Sequence, residues 1–454
     1  MKVFMLGWEF PPFISGGLGT ACHGLTRGLD HHGVEVLFVL PRPVESTSAT
    51  HVRIVSPANL SDQPEDDEAD ELVDPQALFR HARFRTLPVT LHPYARPEDL
   101  RARGRTRITT RGASGGPAVP HASDGQPAAE PALTHGVRTG GPDHYGGDLF
   151  AEIERYAVLA RRLARGQKFD LVHAHDWMTY PAGIAVALSR SKPLVVHVHS
   201  TEFDRSGLHV NQRIYDIERA GMHAATRVIC VSHLTRNIVV KHYAVDPRKV
   251  EVVYNAVEED GAPAGPPLPP ITRDDKIVLF LGRITMQKGP EYFLAAAKRV
   301  LEVMDNVRFV MAGSGDMTRP MIELAAGMGI GHKVLFPGFL RGDDVRRIFE
   351  MADVYVMPSV SEPFGITPLE ALSHDVPVII SKQSGVAELL THALKVDFWD
   401  VDEMANKIVA VLRHPPLHAT LRDHGSFEVS RLSWTDAAAN CMKVYEAAVG
   451  RPAN

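Results

Sequence analysis

A chain of 454 residues is longer than one ordinary hydrophobic core organises, so two domains are the default expectation. Hydrophobic residues at 44% and charged residues at 23% describe an ordinary globular composition, and a net charge of −5 without a large Lys/Arg block argues against a nucleic-acid partner. Three scattered cysteines without a Cys-x-x-Cys pair support neither a disulfide framework nor a zinc ribbon and fit a reducing cytoplasm; no run of about 18 apolar residues reads as a membrane span.

Lys2 to Leu6 reads as a strand buried in a parallel sheet, and Trp8-Glu9 interrupts the apolar run too early for a signal peptide. A loop with Pro11, Pro12 and Gly16-Gly17-Leu18-Gly19 then opens a helix from about Thr20 to His31, followed by a strand from Glu35 to Leu40. This order imitates a dinucleotide-binding unit. The loop is too long for that fingerprint, Cys22 stands where its third small residue belongs, and Pro41-Arg42 supplies no carboxylate for a ribose. NAD is therefore not expected. Two readings of the glycines stay open: backbone amides meeting a phosphate at a helix start, or a flexible turn.

Residues 62–74 are acidic, an Arg-rich run lies between Arg96 and Arg111, and 101–147 are rich in Gly, Ala, Pro, Ser, Thr and Arg. Such composition buries little apolar surface and is expected to be a mobile insertion, ending at a helix from Leu149 to Leu163. A strand from Leu171 to His175 leads to Asp176-Trp177 and a helix to Ser189; a second, from Pro193 to His199, leads into Ser-Thr-Glu-Phe-Asp204. Alternation places His173 with His175, and His197 with His199, on shared faces. No His-Glu-x-x-His helix or third fixed ligand is apparent, so no metal is expected. Asp176 and His199, at strand carboxyl ends, are placed to face a cleft, with His173 and His197 packing internally. A helix over 210–224 and strands over 227–231 and 250–254 follow, the last ending at Asn255, before the proline-rich linker 261–270.

The alternation then restarts. A strand from Lys276 to Leu281 precedes Gly282-Arg283 and Lys288-Gly289-Pro290, and Pro290 opens a helix. On spacing alone, two cations on such a loop are better explained by solvent than by a diphosphate. Ala312-Gly313-Ser314-Gly315-Asp316 follows the next strand, and Gly338 ends the one over 334–339. After a helix over 345–351 and a strand over 353–357 comes Ser361-Glu362-Pro363-Phe364-Gly365-Ile366-Thr367-Pro368-Leu369-Glu370. Thr367 suits an N-cap, Pro368 the first helical position, and Glu370 a capping box; Gly365 lets a ligand approach the backbone. Another strand, 376–381, and a last helix, 435–448, complete the reading.

The motif from Ser361 to Glu370, the Gly-Arg-x-x-x-x-Lys-Gly spacing at Arg283 and Lys288, and the Gly16–Gly19 loop together resemble the retaining nucleotide-sugar glycosyltransferases that include glycogen, sucrose and sucrose-phosphate synthases. Ser384-Gly385 departs from the two glycines common in that group. The resemblance implies an α/β chain with two Rossmann-like domains facing a cleft, the GT-B fold: 1–260 on the acceptor side, 261–432 holding the nucleotide sugar, and 433–454 returning to the first domain. It implies catalytic roles for His199, Arg283, Lys288 and Glu362. Donor contacts would come from Gly16, Gly17, Leu18, Gly19, Asn255, Gly315, Gly338, Phe364, Gly365, Ile366, Thr367 and Glu370, and acceptor-side contacts from Asp176 and Trp177. No cofactor is implied beyond the substrate, ADP- or UDP-glucose, and the partner is a saccharide acceptor. With the Asp-x-Asp motif of many metal-dependent transferases taken to be missing, the diphosphate would be held by basic side chains and amides. A small-molecule or lipid-linked acceptor, a sugar-nucleotide epimerase and a non-catalytic glucan-binding protein are the alternatives. The sequence specifies neither nucleotide base, acceptor nor oligomeric state.

Overall fold

The computed structural model describes residues 1–10, 16–41, 51–55, 149–257 and 275–450. The insertion at 101–147, the acidic and Arg-rich stretches before it, and the linker 261–270 lie outside these.

Short runs rich in Val, Ile and Leu, apolar at consecutive positions, can bury both faces only when helices cover both sides of a parallel sheet. Two such sheets form. The first comprises β1 (Lys2–Leu6), β2 (Glu35–Val39), β3 (Arg53–Val55), β4 (Leu171–His175), β5 (Leu194–Val198), β6 (Arg227–Cys230) and β7 (Val250–Val252). Their order is β3-β2-β1-β4-β5-β6-β7, with every pairing parallel. The second comprises β8 (Lys276–Leu281), β9 (Val307–Ala312), β10 (Val334–Gly338), β11 (Val354–Met357), β12 (Val378–Ser381) and β13 (Leu394–Val396). It runs β10-β9-β8-β11-β12-β13, again all parallel. This is the GT-B architecture of two Rossmann-like sheets.

Each sheet reverses its winding once, between β1 and β4 and between β8 and β11. Open α/β sheets bind ligands outside the strand carboxyl ends at such points. The segments that follow these four strands carry Gly16–Gly19, Asp176, Arg283 with Lys288, and Glu362. Of these, Gly17–Gly19 are already the first turn of a helix that was expected to begin near Thr20.

The first-sheet helices are α1 (Gly17–His31), α2 (Leu149–Ala164), α3 (Tyr180–Arg190), α4 (Glu202–Ser206), α5 (Gln212–Ala224) and α6 (His233–Tyr243). In the second half α7 (Pro290–Leu301), α8 (Thr318–Gly327), α9 (Asp343–Met351) and α10 (Thr367–Ser373) alternate with strands. They are followed by α11 (Val401–Arg413), α12 (Pro415–Val429) and α13 (Trp434–Val449). Most lie within three residues of their sequence expectation. The short α4 was not expected; it forms where Thr201 and Asp204 close a reciprocal capping box. Nor were α6, α8, α11 and α12 anticipated, although Asp400 caps α11 through the Glu403 amide. Thr367 corrects the reading differently. It is the first residue of α10, whose cap position is Ile366 with no side-chain cap bond. With an apolar side chain at the cap position, no capping box forms.

By contacts, both sheets belong to one unit. The last helix, α13, packs on α1 within the first sheet's core: Trp434, Ala438, Cys441 and Tyr445 join Cys22, Leu25 and Leu29. Glycines permit this close approach. A Cβ at Gly24 would lie 2.2 Å from the Trp434 indole, and one at Gly28 2.2 Å from the Trp434 carbonyl oxygen. Ile366 and Leu432 pack against core clusters of both sheets.

Two substitutions report on this seam. Gly28→Val should destabilise by about 1–3 kcal/mol through overpacking, and Trp434→Ala by about 3–5 kcal/mol through the cavity it leaves. Urea denaturation checks both, and a Gly28→Val variant as stable as the parent would remove the close-packed seam.

Candidate active site

The loops after β8 and β11 are tied together. The Val360 amide donates to the Gln287 carbonyl at 2.9 Å, and the Gln287 side-chain amide donates to the Ser361 carbonyl at 3.0 Å. Gly289, at φ 63°, turns the chain into α7 so close to the second loop that a Cβ would sit 2.2 Å from the Pro358 carbonyl oxygen. The result is an ion pair: the Lys288 ammonium contacts Glu362, whose carboxylate also accepts from the Ser359 hydroxyl at 3.2 Å. Both charges are largely buried, with side-chain exposures of 21% and 8%. Arg283 lies half-buried on the same β8 loop. Gly365, at φ 99°, reverses the chain between Phe364 and α10.

The first sheet meets this loop directly. The Ser361 hydroxyl donates to Asp204 at 2.6 Å, and Ser232 and Thr235 hydroxyls donate to the Pro363 carbonyl at 2.6 and 3.3 Å. Glu388 accepts from the His233 and Leu234 amides, at 2.9 and 2.7 Å, and from the Tyr254 hydroxyl at 3.0 Å. A carboxylate from the second half thereby satisfies the start of α6. None of Asp204, Ser232, Thr235 and Glu388 was singled out from the sequence. The Thr-x-x-Asp spacing at 201–204 was the legible signal, but it spoke only of capping.

On the first sheet, Asp176 adopts φ 60° and its Oδ1 accepts from the His199 amide at 2.7 Å and the Ser200 amide at 3.3 Å. It therefore fixes the backbone at His199. Beneath lies a buried network in which Arg205 bonds Glu202 at 3.1 Å, Glu218 at 2.5 Å and the Ser200 hydroxyl at 2.7 Å. The His175 Nδ1 and His199 Nε2 are 2.9 Å apart, and His173 Nδ1 lies 2.7 Å from the Tyr445 hydroxyl of α13. Burial holds His173 and His199 down to about 3 and His175 and His197 well below the usual range, whereas it pushes Asp176 up to about 7.

The structure departs from the sequence reading in several places. A third histidine is present after all: nitrogens of His173, His175 and His197 lie within 4.8 Å of one another. Their rings stand only 9–36° from parallel, so lone pairs in the ring planes run side by side, and a tetrahedral ion needs them to converge. The triplet Asp400-Val401-Asp402 has the Asp-x-Asp spacing that was taken to be missing, yet Asp400 caps α11 and Asp402 pairs with Arg299. Trp177 is 3% exposed and packs near Phe150, so its ring offers no acceptor platform. Phe364 is buried near Tyr254 and could meet a donor only through its backbone. Ser384 is buried with its hydroxyl on the Ser381 carbonyl, 2.6 Å, and Gly385 alone permits the contact with Pro363. Gly16 and Gly17 border open space at the start of α1, Asn255 is buried after β7, and Gly315 and Gly338 follow β9 and end β10.

The chain is 33% identical over 300 residues to an uncharacterized glycosyltransferase of Methanocaldococcus jannaschii, covering 62% of this chain and 76% of that one. It belongs to the glycosyltransferases. Three family profiles match successive parts: "Starch synthase catalytic domain" over 2–85, "Glycosyltransferase Family 4" over 117–260 and "Glycosyl transferases group 1" over 269–426. A glycogen synthase of Mycobacterium tuberculosis is 23% identical over 460 residues, spanning 99% of this chain and 95% of that one. The sucrose-phosphate synthase of Thermosynechococcus elongatus shares the fold, with a TM-score of 0.66, 17% identity and 98% of each chain covered. In this glycosyltransferase the group 1 match contains the whole Lys288–Glu362 junction.

The histidine stack makes the glycosyltransferase acid-sensitive. Below about pH 6.5 the unfolded chain takes up protons that the buried rings refuse until about pH 3, so stability falls as pH drops through that window. One such ring accounts for about 2 kcal/mol at pH 5. Asp176 has the opposite slope, losing stability as pH rises from about 4 to about 7, and is outnumbered. Thermal melts from pH 7.5 to 5 should show the loss, and His197→Leu should make it shallower; an unchanged slope would mean that the stack carries charge in the fold.

Proposed function

We propose that this glycosyltransferase moves a glucosyl group from ADP- or UDP-glucose onto an α-glucan with retention of anomeric configuration. The observation that supports this most is the Lys288–Glu362 ion pair, formed where the β8 and β11 loops join at a topological switch point. A departing nucleoside diphosphate carries negative charge, and Arg283, Lys288 and the amides following Gly365 would stabilise it without reorganising. Glu362 holds the ammonium in place beforehand and would bond hydroxyls of the donor sugar, with Glu370 taking the ribose hydroxyls. The Gly16–Gly19 segment at the start of α1 would close on the diphosphate from the other side.

Across the cleft, His199 is neutral, so its ring would bond a sugar hydroxyl without adding charge, and Asp176 sets the direction of its backbone. The carboxylates of Asp176 and Asp204 are both engaged: Asp176 accepts from the His199 and Ser200 amides, and Asp204 from Thr201 and Ser361. This favours front-face attack, in which the leaving phosphate oxygen accepts the incoming hydroxyl's proton. The C–O bond to the diphosphate breaks as the bond to the acceptor oxygen forms on the same face. The likeness to a glycogen synthase along nearly the full chain supports an α-glucan as acceptor.

The test is a donor-and-acceptor screen. Labelled UDP- and ADP-glucose are incubated with glycogen, maltooligosaccharides and small or lipid-linked acceptors, and free diphosphate and product configuration are followed. Label in polymer, in α linkage and undiminished by chelator, is the expected result. Transfer only to a small or lipid-linked acceptor would remove the glucan assignment, and an isomerised sugar without diphosphate release would mark an epimerase. Arg283→Ala and Lys288→Ala should each lower kcat by about 10²–10³-fold with the fold intact.

A further inference from the structure

A cleft of about 640 Å³, none of whose lining residues belongs to the catalytic loops, opens between the later turns of α7 and the β13–α11 connection, a size typical of small-ligand sites, which span about 300–1,000 Å³. Its wall is Trp399, 57% exposed, the most exposed tryptophan among the described residues. This indole is not loose. Phe398 meets it edge-on, with centroids 4.8 Å apart at 85°, and Tyr292 of α7 meets Phe398 at 5.1 Å and 70°. The backbone is pinned as well: the Val401 amide donates to the Trp399 carbonyl at 3.0 Å and the Asp400 amide to the Asp397 carbonyl at 2.9 Å. The chain therefore spends two aromatic rings and a turn on holding a large apolar face in water.

The remaining lining decides what that face would take. Lys298, Arg299 and Glu302 line it from α7 and its end, and Asp400 and Asp402 from the β13–α11 side. Arg299 bridges to Asp402 at 3.2 Å and to Glu302 at 3.5 Å, so the cation is already matched by carboxylates and the rim offers no net positive charge to a phosphate. It does offer donors and acceptors in alternation, at side chains half or more exposed. A flat indole beside paired polar groups suits a neutral polyhydroxylated ring: its C–H face packs on the aromatic, and its edge hydroxyls bond the rim.

We propose that this cleft is a second saccharide-binding site, distinct from the catalytic cleft, that holds a neutral oligosaccharide segment of the acceptor. The identity of that saccharide as α-glucan rests on the function proposed above. A polymer tethered there would raise the local concentration of its own chain ends, so affinity for polymer gains while a short acceptor gains nothing.

The experiment compares the full-length protein with Trp399→Ala and Arg299→Ala in glycogen-containing affinity gels, with maltoheptaose quenching of tryptophan fluorescence as a second readout. Transfer to glycogen and to a short maltooligosaccharide is measured on the same preparations, as are circular dichroism and donor hydrolysis. Trp399→Ala should weaken glycogen retention at least tenfold and raise KM for glycogen severalfold. It should leave kcat, KM for the short acceptor and donor hydrolysis unchanged. Retention equal to that of the parent protein, or an equal loss on short and long acceptors, would overturn the second site while leaving the transferase reading standing. A parent protein that transfers glucose but neither binds nor uses any α-glucan would overturn the acceptor assignment and this site together.

Discussion

The arrangement depends on how the segment after β11 is held. Glu362 and Gly365 belong to a loop that makes few regular hydrogen bonds of its own, so its shape is imposed from both sides. From below, the Gln287 side chain and the Gln287 carbonyl bind Ser361 and Val360. From the β12 side, Gln383, Gly385 and Val386 exchange backbone bonds with Glu362 and Phe364 at 2.7–2.9 Å. From the first sheet, Asp204, Ser232 and Thr235 take Ser361 and Pro363. Because one loop both carries the ionic junction and receives the other half of the chain, separating the sheets would disturb the charges.

Charge is divided unevenly between the halves. The second sheet presents the Lys288 ammonium and the Arg283 guanidinium. The first presents a stack of neutral imidazoles, an aspartate pushed up to about 7, and an arginine consumed by two buried glutamates. A reaction that develops positive character on a sugar and negative character on its leaving group gains from this asymmetry. The sugar side would meet oriented dipoles, whereas the leaving group would meet full charges. The buried Arg205 network costs desolvation but holds the Ser200–Asp204 turn, which follows His199 and makes the bond to Ser361.

Much of this was legible before folding. Strands at 2–6, 171–175 and 276–281 announce themselves because parallel strands bury both faces and are written as continuous apolar runs. The loops follow them at glycine and proline punctuation; position placed Asp176 and His199 at strand carboxyl ends, whereas the expectations for Arg283, Lys288 and Glu362 came from the family resemblance of their motifs. The reading failed at particular side chains. Thr367 carries the residue type of a cap, but it is the first residue of α10 and Ile366 holds the cap position. Trp177 was expected on the acceptor side by resemblance, but its ring is buried in the core.

What the sequence by itself determined is therefore the local grammar: which runs are strands, where helices can begin, and which loops expose chemistry at strand ends. These follow from side-chain alternation and backbone preference over a few residues. Only the tertiary structure decided which loops meet. Lys288 and Glu362 are 74 positions apart, Ser361 and Asp204 157, and His173 and Tyr445 272. Contacts of that separation are set by the winding order of two sheets and by the return of the last helix onto glycines of the first, quantities that no short window of sequence contains.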